Sequence, residues 1–170
     1  MILAVYSRKK AASELVAEYA LKLFSELSVN TRYARAEYTH DATGAPMFDV
    51  AGAPFVSVSH SADIVVAAVS DEPVGIDVQF KKQVDYAAIS ARFGIKADTS
   101  DDFYAAFTAA EAKTKALRIP LAESLKGDNS DVAVFDFIPG YTLAVSGSGT
   151  PYFAEYYDVS EPSESRESLS

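Results

Sequence analysis

Three short stretches hold the side chains that could do chemistry. In VGIDVQF, residues 74–80, strand alternation puts Val74, Ile76 and Val78 on one face and Gly75, Asp77 and Gln79 on the other. Asp77 and Gln79 are then about 7 Å apart at their α-carbons, so a carboxylate and an amide oxygen look the same way. The glycine beside them takes away bulk where a ligand would approach closely. In SDDFYAAFTAAEAKTKALR, residues 100–118, Glu111 and Lys115 lie four apart on one helix face, next to an apolar stripe. Taken alone, that pair is a routine helix ion pair worth about 0.3 to 0.5 kcal/mol. In VSVSHS, residues 56–61, Val56 and Val58 alternate with Ser57 and Ser59, and His60 falls on the valine parity. By itself His60 reads as a satisfied histidine at the edge of a core, although an imidazole is also the side chain that changes charge near neutral pH.

The elements that must position these residues separate well along the chain. ILAVY reads as a strand, and KKAASELVAEYALKLFSEL as an amphipathic helix with Ala12, Leu15, Tyr19, Leu23 and Leu27 on its buried stripe. TRYARAEYT is strand-like, and GAPMFDVAGAP is a turn-rich connector. FVSVS and DIVVAAVS are two strands joined by a short HSA turn. After Pro73 come the VGIDVQF strand, a short helix over DYAAISARF, and the long helix with a stripe of Phe103, Phe107, Ala110, Thr114 and Leu117. VAVFDFI, YTLAVSG and YFAEYY are strand candidates, and the GSG at Gly147 to Gly149 reads as a hairpin turn, not a phosphate loop, because no helix follows it. Strand, helix and then several strands occur twice, and each half alone would be a marginal domain. The expectation is an α+β fold of two similar subdomains, residues 1–72 and 73–157, sharing an interface, followed by a disordered acidic and serine-rich tail over 158–170.

Composition narrows the function classes. Of the 170 residues 49% are hydrophobic and 23% charged, as in a soluble globular protein. Cysteine is absent, which excludes disulfides and thiolate metal sites. MILAVYSRKK places its apolar run before its basic residues, the reverse of a secretory signal, and is too short to span a bilayer. A cytoplasmic protein without membrane contact is therefore expected. A formal charge of -9 disfavours general nucleic-acid binding, which draws affinity from phosphate neutralisation. Arg8, Lys9 and Lys10 stand at the start of the first helix, where positive charge is mildly unfavourable unless an anion lies nearby. His40, in THDATG, looks like an exposed turn residue without a role.

Taken together, GAPMF, FVSVSHS, VGIDVQ and FTAAEAKTKA, in this order and spacing, resemble the 4'-phosphopantetheinyl transferases of the larger, pseudo-dimeric Sfp type. That family shows a G-K-P turn, a strand ending F-S-x-S-H-S, the strand V-G-[IV]-D-[IV]-E and a helix with W-x-x-K-E-A-x-x-K. The resemblance covers about Gly44 to Leu121. It implies a pseudo-twofold pair of subdomains that bind coenzyme A and Mg²⁺ in the cleft between them. A serine of an acyl or peptidyl carrier protein then attacks the β-phosphate and releases adenosine 3',5'-bisphosphate. By the same resemblance Asp77, Glu111 and, more weakly, Gln79 are metal ligands. Lys115 and His60 face phosphate, Glu111 is the candidate base, and Gly44, Pro46, Ser59 and a basic residue such as Arg8 contact coenzyme A. Two halves in one chain could complete such a cleft without a second subunit.

The chain departs from that pattern at defined places. Ala45 replaces the lysine of G-K-P, Gln79 the third acidic residue, Phe107 the tryptophan and Ala110 the lysine before the glutamate. Arg118 stands where a glycine often follows, before an apolar Ile119-Pro120-Leu121 that could help dock a carrier. Each lost cation removes a charge-assisted contact of about 1 to 3 kcal/mol. Two functions of different class follow from the resemblance: a carrier-protein priming enzyme, or a relative that binds coenzyme A or a carrier without turnover. A Mg²⁺-dependent phosphohydrolase would need water as nucleophile in the same site.

Overall fold

A computed structural model describes residues 1–158 and shows a mixed α+β chain whose two larger sheets lie face to face between helices. The acidic tail expected over 158–170 falls, from residue 159 on, outside the described residues. Among the described residues no helix is long and apolar enough to cross a membrane.

The first sheet runs β4 (Phe55–Ser61), β5 (Ile64–Ser70), β1 (Ile2–Tyr6) and β9 (Pro151–Glu155). The second runs β6 (Gly75–Phe80), β8 (Tyr141–Ser146) and β7 (Ala133–Phe135). Both halves repeat one order. A leading strand is followed by helix and, in the first half after an inserted two-stranded ribbon, by an antiparallel pair whose later strand sits beside the leader, β1–β5–β4 in one and β6–β8–β7 in the other. The facing surfaces of the sheets make one core, in which Ile2, Ala4, Val66 and Ala68 meet Val74, Ile76, Val78, Leu143 and Val145. α1 (Ser13–Leu27) covers the far face of the first sheet through Val16, Ala17, Ala20, Leu21 and Phe24. α3 (Ser100–Leu117) covers the far face of the second, with α2 (Tyr86–Phe93) and α4 (Leu121–Lys126) beside it.

Several expectations are corrected. Leu15 and Leu27 are 46% and 61% exposed and Ala12 is exposed, whereas Tyr19 and Leu23 pack partly buried against the core, so the buried face of α1 is centred one position further on. The reason is steric: Val16, Ala17 and Ala20 let the helix lie close on β5, whereas the leucine stripe would hold it off. On α3 Phe103 and Ala110 of the expected stripe are buried, together with Tyr104, Thr108, Ala109, Ala112 and Ala116, but Phe107 and Thr114 are only partly buried and Leu117 projects into solvent. TRYARAEYT gives a 3₁₀ turn at Thr31–Tyr33 and a three-residue strand, β2 (Tyr38–His40), and the connector contains its partner β3 (Pro46–Phe48). His40 therefore ends a strand, with its ring edge-on to Tyr38. Arg8 and the two lysines precede α1, which begins only at Ser13, and only Ala133–Phe135 of VAVFDFI forms a strand. The GSG turn makes no hairpin. It carries the chain from β8 to β9, which pairs in parallel with β1, so the YFAEYY segment of residues 73–157 completes the sheet of the first half. α4 begins at Leu121, inside the stretch read as an apolar docking segment.

Candidate functional site

β4 and β6 are edge strands of different sheets, and where they meet their unpaired backbone groups are closed by side chains rather than by a ladder. The alternating serines of β4 do much of this. Ile76 N–H donates to Ser57 Oγ at 3.0 Å, and Phe80 N–H donates to Ser61 Oγ at 2.9 Å. Ser59 Oγ donates to Asp77 Oδ1 at 2.7 Å. Lys115 reaches down from α3 and donates to Ile76 O at 3.1 Å, Val58 O at 3.4 Å and Asp77 Oδ1 at 2.7 Å. The serines thus face a second strand, not solvent, which is why both faces of β4 carry small polar or apolar residues.

Asp77 is 3% exposed, and both of its carboxylate oxygens are hydrogen-bonded, Oδ2 by Gln79 Nε2 alone at 2.8 Å. Glu111, half-buried on α3 one turn before Lys115, looks into the same place. Its carboxyl titrates above the ordinary value near 4.5, first because burial penalises its charge, then because Asp77 repels it, with Lys115 pulling the other way. A carboxyl raised in the folded state contributes stability below its unfolded value and loses it as pH rises through the folded one. Glu111→Gln is therefore expected to stabilise the fold at pH 7, by less than about 1 kcal/mol for so partly exposed a group, and to raise the melting temperature accordingly. The gain should vanish near pH 4, and thermal melts across that range check it.

The structure thus brings together Ser59, Asp77, Gln79, Glu111 and Lys115. It does not bring His60 to them. His60 follows Ser59 on the opposite face of β4, at the strand's last residues, with an exposed side chain that has no hydrogen-bond partner among the described residues. It is therefore not a satisfied core histidine. Arg8 follows β1 at the same end of the sheet, since Val65, paired with His60, also accepts from Ser7 N–H. Its guanidinium is held by Glu155 at 3.0 Å and lies over the Tyr6 ring. Gly75 also differs from expectation. A side chain there would meet the Ala112 carbonyl of α3, so the missing bulk admits a helix backbone rather than a ligand.

Gly44 and Pro46 lie in the other direction, in a groove of about 960 Å³ that runs between the β2–β3 ribbon and the C-terminal turn of α3. Met47, Val50 and Phe55 make its exposed apolar wall, Val56 to Val58 of β4 its floor, and Lys115 joins it to the carboxylates. Across it Arg118 Nη1 donates to Asp41 Oδ2 at 2.8 Å, while Asp41 Oδ1 accepts from Thr43 N–H, Thr43 Oγ1 and Ala45 N–H. These bonds hold the Asp41 carboxyl well below the usual carboxylate range. Sequence reasoning gave Asp41 no part, and nothing in THDATG announces a partner 77 residues away. Among the described residues no group of three or more His, Cys, Asp or Glu is placed to hold a metal ion. Compared with known proteins, the chain matches no family model and no curated protein.

Proposed function

We propose that the chain transfers the 4'-phosphopantetheine of coenzyme A to a serine of an acyl or peptidyl carrier protein, as the sequence resemblance implies. The observation that carries this reading is the meeting of Asp77, Glu111 and Lys115, from two separate elements, at the junction of two like halves and beside a large groove. The repeated strand order supports a pseudo-twofold arrangement with the ligand between the halves. The same reading expects the protein in the cytoplasm, with coenzyme A and its carrier.

The donor set suits Mg²⁺. That ion takes one or two carboxylates and leaves its other positions to water and substrate phosphate. Asp77 and Glu111 are two such groups, and their mutual repulsion is a charge imbalance that a cation relieves. When bound, Mg²⁺ supplies positive charge against the pyrophosphate oxygens. Glu111, whose carboxyl titrates above its ordinary value and so binds a proton more readily, accepts the proton of the carrier serine. The serine oxygen forms its bond to the β-phosphorus as the bond to the bisphosphate leaving oxygen breaks, and Lys115 offsets the charge that accumulates on the phosphates. The resemblance gives His60 a phosphate contact from the first half, and its exposed side chain at the end of β4 leaves it accessible for one, although it lies apart from the carboxylates. Incubation with coenzyme A, Mg²⁺ and an apo carrier protein should add phosphopantetheine to the carrier serine, read by mass spectrometry, and chelation should abolish the adduct. Absence of the adduct across fatty acid, polyketide and peptide carriers would defeat the proposal.

A second reading has one observation behind it. All three N–H groups of Lys115 are spent within the seam, and the groove's other cation, Arg118, is paired with Asp41. A protein that only binds coenzyme A or a carrier would keep such a closed arrangement. Binding of coenzyme A without any adduct would select it.

A further inference from the structure

Three charged residues line the groove: Asp41, Lys115 and Arg118. Lys115 spends its donors within the seam and acts on an anion through its charge, so Arg118 is the groove-lining cation, among the described residues, with donors open to an incoming anion. The Arg118 side chain is 59% exposed and uses a single nitrogen on Asp41, which leaves the rest of its planar donor fork turned to no protein acceptor. Its backbone is unusual as well. Arg118 ends α3 at φ 55° and ψ 40°, the left-handed region where glycine is the easy residue. An arginine held there points its side chain across the groove toward the ribbon of the other half. Asp41 stays in place without it, because its other oxygen is fixed by three donors of its own turn.

We propose that Arg118 is the anion-binding residue of the groove, that it takes a phosphate of the nucleotide end of coenzyme A, and that Asp41 occupies it as a carboxylate stand-in until the ligand arrives. This rests on the coenzyme A reading above, and it assigns the groove's cation to a residue that ordinarily caps a helix. Guanidinium suits the task because it binds phosphate through two parallel N–H groups and can exchange one oxyanion for another without losing its charge. Asp41 then competes with the ligand. Removing its charge must tighten binding, whereas a pair that merely latched the two halves together would make binding weaker when either partner is lost.

Calorimetric titration of the full chain with coenzyme A and with dephospho-coenzyme A tests this. Arg118→Gly suits its left-handed backbone and should fold at least as well as the parent, yet bind about tenfold or more weakly. Asp41→Asn keeps the turn's oxygen acceptor and should bind several-fold more tightly. Weakening toward both ligands puts Arg118 on the diphosphate, and weakening toward coenzyme A alone puts it on the 3'-phosphate. Unchanged affinity in Arg118→Gly, or weaker binding in both variants, overturns the assignment and leaves the transferase reading intact. A parent protein that binds neither ligand overturns both.

Discussion

Gly75→Ala should destabilise the fold severely. A methyl group at that position would stand 1.9 Å from the Ala112 carbonyl oxygen, 2.7 Å from the Ala116 nitrogen and 2.9 Å from the Ala112 carbonyl carbon. All three are backbone atoms of α3, which no side-chain rotation can move aside. Relief requires lifting α3 off β6, and that opens the contact among Ala109, Ala112 and Ala144 and withdraws Lys115 from the seam. A loss above about 4 kcal/mol is expected, a large share of the 5 to 15 kcal/mol that holds a domain together. Gly127→Ala is the control. Its backbone lies outside the left-handed region, and a methyl group there meets nothing closer than 3.4 Å. That variant should stay within about 1 kcal/mol of the parent in urea unfolding. A Gly75→Ala protein with parental stability would mean that α3 does not sit on β6 as described.

The same glycine shows how far the sequence could be read. Alternation in VGIDVQF placed Asp77 and Gln79 on one face, and they share it, because a strand's period of two is set by its own backbone. It could not say what covers that face. Helix spacing put Glu111 and Lys115 together for an equally local reason, and the α+β class followed from such elements. Where two readings fitted one helix, as with the leucines and the alanine-rich face of α1, the partner surface decided, and a flat sheet selected the small side chains. β9 was beyond reach, since a five-residue strand after a glycine turn looks like a hairpin, and its true partner, β1, opens the chain. The serines of VSVSHS were legible as a face but not as a seam. Their acceptors and donors belong to β6, some 18 or 19 residues on, and a buried hydroxyl with a partner looks in sequence like an exposed one without. For His60 the chain showed the strand end but not the exposure that sets it apart from the core.

Asp77 and Lys115 carry the largest expected effect on activity, and their burial lets a structural role be separated from a chemical one. Lys115→Ala should cost about 3 to 5 kcal/mol, because it leaves the Asp77 carboxylate buried with only Ser59 and Gln79 as donors and also strips Val58 O and Ile76 O of theirs. Loss of transfer in that variant would prove little by itself. The double variant Asp77→Asn with Lys115→Gln removes both charges while keeping groups that can hydrogen-bond across the seam, and most of the stability should return. Transfer to a carrier should not. On the transferase reading, loss of the Asp77 charge would remove a carboxylate for Mg²⁺ and loss of the Lys115 charge the protein cation nearest the carboxylates, so the rate should fall by at least about a thousandfold. Chemical denaturation and the mass-spectrometric transfer assay, run on the same preparations, give the two readings side by side. A stable double variant that still primes its carrier at the parental rate would show that this pair only closes the seam between the sheets, and the transferase reading would lose its site.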